Sequence, residues 1–198
     1  VGISSMTPNK PIGLILAGGH SRRFGTDKAL YRPTPKALPQ VQQMALILAP
    51  LVSQIFVSVN HHNQSAITKL FANDNATTVL ADQAPFVDQG PLSGIYATCH
   101  YLKTTTDFLM VPTDYPKLET ATLNQLLKQP CYPVVDQRSH QTIAHFETNE
   151  NAVEHYLNTG QRRVRIFLTE ACGCQPFVLA SNYQPQFTNY NQRSGQND

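Results

Sequence analysis

The 198-residue sequence is poor in charge: Asp, Glu, Lys and Arg make up 14% of it, and the formal net charge is only +2. A charge so small gives no argument for nucleic acid as a partner, and none is expected. No apolar run reaches the roughly 18 residues that span a bilayer, and no basic flank leads into an apolar signal region, so the expectation is a soluble, cytoplasmic protein with no membrane partner. Cysteine is scarce: Cys99, Cys131, Cys172 and Cys174 lack a zinc spacing and read as reduced structural thiols. The histidines are scattered, and adjacent His61 and His62 point apart on either a strand or a helix, which makes them a poor metal pair. Two common phosphate motifs are missing as well. Lys28 is followed by Ala29 rather than Ser or Thr, so there is no P-loop, and the dinucleotide pattern G-x-G-x-x-G does not occur.

What the chain has is enough apolar residue, 41%, for one domain with a substantial core, expected over residues 6–191. Residues 1–5, ahead of Met6, read as a vector-derived remnant or a natural extension. Residues 192–198 read as a polar, disordered tail.

The chain is organised around residues 13–28. Ile12, Leu14, Ile15 and Leu16 form a short apolar run bounded by Pro11 and Gly18, the pattern of a strand buried on both faces of a parallel sheet. At its end Ala17, Gly18 and Gly19 let the backbone turn sharply and bring N–H groups close to an anion. Ser21, Arg22, Arg23 and Lys28 follow within ten residues of Gly18. In open α/β sheets ligands bind at the carboxyl ends of strands, so this segment supplies both an anion cradle and its counter-charges. A nucleoside triphosphate is the expected ligand.

Residues 36–50 carry a helical apolar period with Pro39 in the first turn, and Ile55, Phe56, Val57 and Val59 form a second strand with Ser58 and Asn60 near its carboxyl end. Asn63 would cap a helix running to Phe71, and a third strand from Thr77 to Leu80 leads to Asp82. This alternation predicts parallel βαβ units. Gly90 and Pro91 then mark a sharp turn into a helix carrying Leu92, Ile95, Tyr96 and Cys99. Gly94 in its first turn costs about 1 kcal/mol against alanine, which implies close approach either by a packing partner or by a nucleotide base. A further apolar strand, residues 108–112, ends at Asp114 between Pro112 and Pro116. A carboxylate held so firmly beside a triphosphate suits Mg2+, which takes only one or two protein carboxylates.

Leu16, Ala17, Gly18, Gly19, Ser21, Arg23, Gly25 and Lys28 match the L-A-G-G-x-S-x-R-x-G-x-x-K signature of nucleotidyltransferases with a Rossmann-like fold. With the Lys36-Ala-Leu segment, Asp82, Gly90-Pro-Leu-Ser-Gly94 and Pro112-Thr-Asp-Tyr-Pro116, the chain resembles the MobA family of molybdenum cofactor guanylyltransferases across nearly its whole length. Two later segments resemble family segments too: Gly160-Gln-Arg-Arg-Val164, and Phe187, Asn189 and Asn191 of an F-x-N-x-N pattern. The tail after Asn191 departs from the family, which continues Thr-Pro-Glu-Asp-Leu into a helix. His140-Gln-Thr142 stands where the family has His-Pro-Thr.

The resemblance implies a three-layer α/β fold with a mostly parallel central sheet and helices on both faces. It implies transfer of GMP from Mg-GTP to the terminal phosphate of molybdopterin or the molybdenum cofactor, with cofactor-delivery proteins and molybdoenzymes as downstream partners. Lys28, Arg23 and Asp114 would be catalytic. Leu16 to Gly19, Ser21, Lys28, Ser58 or Asn60, Asp82, Gly90, Pro91, Leu92, Gly94 and Asp114 would bind nucleotide. Asp114 and Asn191 would hold metal, and Arg162, Arg163 and Asn189 the acceptor. Gly18, where related cytidylyl enzymes have alanine, favours GTP. A different phosphorylated acceptor, the cytidylyl form of the same cofactor, or a nucleotide-binding relative without catalysis are the alternatives.

Overall fold

The computed structural model describes residues 10–19 and 27–189; the expectations for Ser21, Arg23 and Asn191 fall outside the described residues. Four strands, β1 (Ile12–Leu16), β2 (Gln54–Val59), β3 (Thr77–Ala81) and β4 (Thr106–Pro112), lie side by side and parallel in the order β3-β2-β1-β4. The crossovers contain α1 (Gln40–Leu48), α2 (Gln64–Leu70) and α3 (Pro91–Leu102). The second half adds α4 (Thr120–Leu126), β5 (Cys131–Val135), β6 (Arg138–Ser139), β7 (Ala144–Thr148) and α5 (Glu150–Asn158). It closes with α6 (Val164–Ile166), which runs into a π turn (Phe167–Ala171), then β8 (Gln175–Leu179) and a 3-10 helix (Ser181–Phe187). β7 is antiparallel to both β4 and β5, while β8 pairs parallel with β5, so the eight-stranded sheet is mixed but mostly parallel.

Side-chain alternation explains why the central strands are apolar at nearly every position: both faces are covered. Ile15, Val57 and Val111 point into one core, with Val41, Met44 and Leu48 of α1, Ile67 of α2, and Leu123 and Leu126 of α4. Their chain neighbours Leu14, Phe56 and Met110 point into the other, with Leu92, Ile95 and Cys99 of α3, and Val153 and Leu157 of α5. The chain goes from β1 outward to β2 and β3, then crosses back to β4 on the other side of β1. The direction of winding reverses between β1 and β4, and a crevice opens at the carboxyl ends of strands at such a point.

The first helix begins at Gln40, later than the apolar period alone suggests. Pro39 has φ −54 and ψ 148 as its N-cap, and a residue preceding proline is driven out of the helical region, so Leu38 is lost to the helix. Asn63 stands at the N-cap of α2 as expected, but its side chain makes no capping bond and is used elsewhere.

His145 on β7 pins the two halves of the sheet together. Its Nε2 lies 2.9 Å from Asp107 Oδ1, and its Nδ1 lies 2.9 Å from the Gln129 carbonyl. Both ring nitrogens face acceptors, which only the imidazolium satisfies with two donors. Burial alone would lower the His145 pKa, but the bonds to Asp107 and the backbone carbonyls of Gln129 and Leu126 outweigh it, and the value is raised above 6.5. The stabilisation is therefore fully present below the unfolded value of about 6.5 and is lost as pH rises through the higher folded value. His140 works the other way, since burial and then Arg138 push it down to about 4 and its contribution is lost as pH falls from 6.5 toward that value. In urea unfolding the margin of wild type over Asp107→Asn should shrink as pH is raised from 6.5. A margin that grows with pH would refute the clasp.

Candidate active site

The first loop is held from below by two asparagines at the end of β2. Asn60 donates Nδ2 to the Gly18 carbonyl at 3.0 Å, and its Oδ1 accepts from the backbone of His62 and Asn63 at 2.9 and 3.1 Å. Asn63 Oδ1 accepts from Asn60 N at 3.1 Å, and its Nδ2 donates to the Ala17 carbonyl at 2.8 Å and to Asp27 Oδ2 at 2.6 Å. One buried amide thus grips both the start of the loop and its far end. Asp27 in turn accepts from Ala29 N at 2.8 Å and caps the short 3-10 turn Lys28–Leu30, which sets the base of Lys28 at the cleft. The Ala17 N–H donates to the Ser58 carbonyl at 2.8 Å, so the end of β1 and the end of β2 move as one.

On the other side of β1, the turn after β4 presents Thr113 and Asp114. Asp114 Oδ1 is buried, and among the described residues it has no hydrogen-bond partner. Burial raises its pKa above 3.8, against the opposing pull of Lys28 and of its own backbone N–H. Such an atom is costly to keep unless something else binds it. The helix that follows has Glu119 as N-cap, so Asp114 does not serve as its cap. Among the described residues no group of three or more His, Cys, Asp or Glu side chains forms a metal cage. A lone carboxylate with one unpartnered oxygen fits an ion such as Mg2+ that takes its other ligands from phosphate and water.

The third wall comes from the segment after β3. Asp82 Oδ2 accepts from Asp88 N at 2.9 Å. Burial raises the Asp82 pKa, with the Asp88 backbone bond and Ser93 opposing and the Asp88 carboxylate reinforcing. Gly90 has φ +66, a conformation that favours glycine, and it turns the chain into α3 behind Pro91. Gln89 braces this turn: its N–H donates to Ser93 Oγ at 2.7 Å, its Nε2 donates to the Val87 carbonyl at 2.7 Å, and its Oε1 accepts from Arg162 Nε. Arg162 Nη1 is also spent, on the Leu157 and Gln161 carbonyls at 2.8 and 2.7 Å. Arg163 is exposed at the start of α6, its carbonyl fixed by the Tyr156 hydroxyl at 2.9 Å.

Between these walls lies a cleft of about 380 Å3. Of the residues singled out in the sequence, Leu16 to Gly19, Lys28, Ser58, Asp82, Gly90, Pro91 and Asp114 line it. Six others do not line it: Arg162 and Arg163 stand outside the lining, and the remaining four are placed as follows. Asn60 supports the loop instead of lining the cleft. The Leu92 side chain is fully buried in the second core. Gly94 lies against Ser58, where an added Cβ would come within 2.4 Å of Ser58 Oγ, so the packing reading of this glycine is the one the structure bears out. Asn189 sits beside Tyr115, the residue that follows Asp114. Sequence reading missed Asp27, Asn63, Asp88, Gln89 and Thr142. The pair of asparagines three apart directly after a strand was the available signal for the loop support.

A crevice at the switch point, with a glycine loop and Lys28 sharing the cleft with the buried Asp114 carboxylate, suits the handling of a nucleoside triphosphate. Residues 13–197 match the family model of the MobA-like NTP transferase domain. The molybdenum cofactor guanylyltransferase of Haemophilus influenzae Rd is 30% identical over 189 residues, covering 90% of this chain and 91% of that protein. Among solved structures, a protein of Aquifex aeolicus VF5 superposes with a TM-score of 0.59 over 92% of this chain and 94% of that chain at 15% identity. CMP:2-keto-3-deoxy-manno-octonic acid synthetase complexed with CTP does so with a TM-score of 0.58 over 87% and 90% of the two chains at 12% identity. The likeness to both structures is one of fold. The chain belongs to the MobA-like NTP transferase family.

Proposed function

We propose that the protein transfers GMP from Mg-GTP to the terminal phosphate of molybdopterin or its molybdenum-loaded form and releases pyrophosphate. The observation that carries this reading is the unpartnered, buried Asp114 oxygen in a cleft shared with Lys28 and the Gly18-Gly19 backbone, in a chain whose full-length relatives are named for that activity. An acceptor phosphate oxygen attacks the α-phosphorus, a new P–O bond forms, and the bond to the β-phosphate oxygen breaks, leaving pyrophosphate. The nucleophile is already anionic, so no general base is required, and the protein's work is to position two anions and offset their repulsion. Gly18 and Gly19 offer backbone N–H groups, and Lys28 offers its ammonium, to the triphosphate. Ser21 and Arg23 join the same anionic region in this reading. Ser58 and Asp82 face the nucleoside, and Arg162 and Arg163 face the acceptor. Mg2+ bound to Asp114, with Asn191 as a second ligand, would neutralise charge on the phosphates as the bond to pyrophosphate breaks.

The reading places the protein in the cytoplasm, ahead of cofactor-delivery proteins and molybdoenzymes. The test is pyrophosphate release by purified protein given molybdopterin or its molybdenum-loaded form, Mg2+, and GTP or CTP in parallel. Release with GTP alone is the expected result. Release with CTP alone would move the protein to cytidylyl transfer, and tight Mg-GTP binding without release would refute the acceptor.

A further inference from the structure

Three segments far apart in the chain meet at the Tyr115 side chain, directly after Asp114. The hydroxyl lies 2.9 Å from His140 Nδ1, and Thr142 and Asn189 present side-chain groups to the same oxygen. The rings of Tyr115 and His140 meet edge to face at 5.6 Å, and Phe187 packs on both at 6.4 and 4.9 Å. Tyr115 and His140 are only 6% and 5% exposed. His140 is itself fixed, since its N–H donates to the Pro133 carbonyl of β5 at 3.0 Å and its carbonyl accepts from Ile143 N at 3.0 Å. The hydroxyl therefore ties the turn after β4 to a stiff part of the sheet and to the last described segment.

Packing alone does not account for this arrangement. A phenylalanine would make the same ring contacts with His140 and Phe187 without carrying a polar atom into a buried place. The two residues on either side of the hydrogen bond that reach the cleft are Asp114, one step before Tyr115, and Thr142, two steps after His140. The bond thus spans the base of one cleft wall. The buried Asn189 Oδ1, without a partner, stands at the same junction.

We infer that the Tyr115 hydroxyl, through its bond to His140, is a positioning group that fixes the turn carrying the Asp114 carboxylate and, with it, the metal–triphosphate wall of the cleft. The inference rests on the proposed function in taking Asp114 as the metal carboxylate. Displacement of a catalytic group by a fraction of its own size costs rate without unfolding the protein.

The test compares wild type with Tyr115→Phe. The Mg2+ dependence of GTP binding, read by calorimetry at fixed GTP, should shift to about tenfold higher Mg2+, while metal-free GTP binding stays close to wild type and the thermal midpoint falls only by the few degrees that one lost buried hydrogen bond costs. Turnover should fall by about tenfold or more, with the KM for GTP little changed at saturating Mg2+. His140→Phe removes the same bond from the other side and keeps an aromatic ring against Phe187. It should reproduce the shift, and it serves if Tyr115→Phe does not fold. Unchanged Mg2+ dependence in a folded variant overturns the inference. Wild type that binds Mg-GTP yet turns over no acceptor overturns the proposed reaction instead, and the binding shift still decides the role of Tyr115.

Discussion

Asp114→Asn should reduce pyrophosphate release by about 100- to 1,000-fold and leave the protein at least as stable as wild type at neutral pH. The two effects have one cause. The wild-type carboxylate is buried with Oδ1 unpartnered, and its raised pKa means that the folded state resists its ionisation. A carboxylate whose folded pKa lies above 3.8 weakens the fold as pH rises through the interval between the two values. Asparagine removes that charge, so the variant gains stability at pH 7, and the gain shrinks as pH falls through the same interval and is gone below the unfolded value. The same change removes the anion that a metal ion would bind. Thermal melts across pH, beside steady-state kinetics, check both halves. A variant that melts earlier than wild type at neutral pH, or that turns over normally, would sink the assignment.

Gly94→Ala is the substitution with the largest expected effect on stability. In an unconstrained helix this change would be favourable by about 1 kcal/mol. Here the new Cβ would lie 2.4 Å from Ser58 Oγ and 2.7 Å from Ser58 Cβ, so α3 and β2 must separate or Ser58 must move. Overpacking of this kind costs about 1–3 kcal/mol, enough to cancel the helical gain or reverse it. Ser58 is also a wall of the cleft, and its carbonyl holds Ala17, so nucleotide binding should weaken along with stability. Ser58→Gly removes both clashing atoms and should recover stability in the double variant. Urea unfolding of the two single variants and the pair would show this as strong non-additivity; additive losses would refute the contact.

The first half of the fold is legible in the sequence because its strands are buried on both faces and its helices show one apolar stripe. Leu14-Ile15-Leu16 and Phe108-Leu-Met-Val111 leave little choice but a central parallel strand. The second half is harder to read. β5, β6 and β7 are short and antiparallel around the tight turns at Asp136 and Gln137, which take positive φ without a glycine to announce it. The site divides in the same way. Backbone cradles and strand-end carboxylates are visible because their position follows from chain order. The contacts of Asn63, Gln89 and Tyr115 depend on partners 36, 73 and 25 residues away, which no local pattern encodes.

The alternation of Leu14 and Ile15 between two separate cores has an evolutionary consequence. Ala29 and α1 rest on one layer, while α3 and Leu157, to which Gln89 and Arg162 are fastened, belong to the other. The sheet separates the packing of these layers, and Gly94 against Ser58 is a point where a change in α3 reaches the cleft; under the proposed reaction, substitutions in the second layer away from that contact would reshape the Arg162 side with less effect on the loop that ends at Lys28.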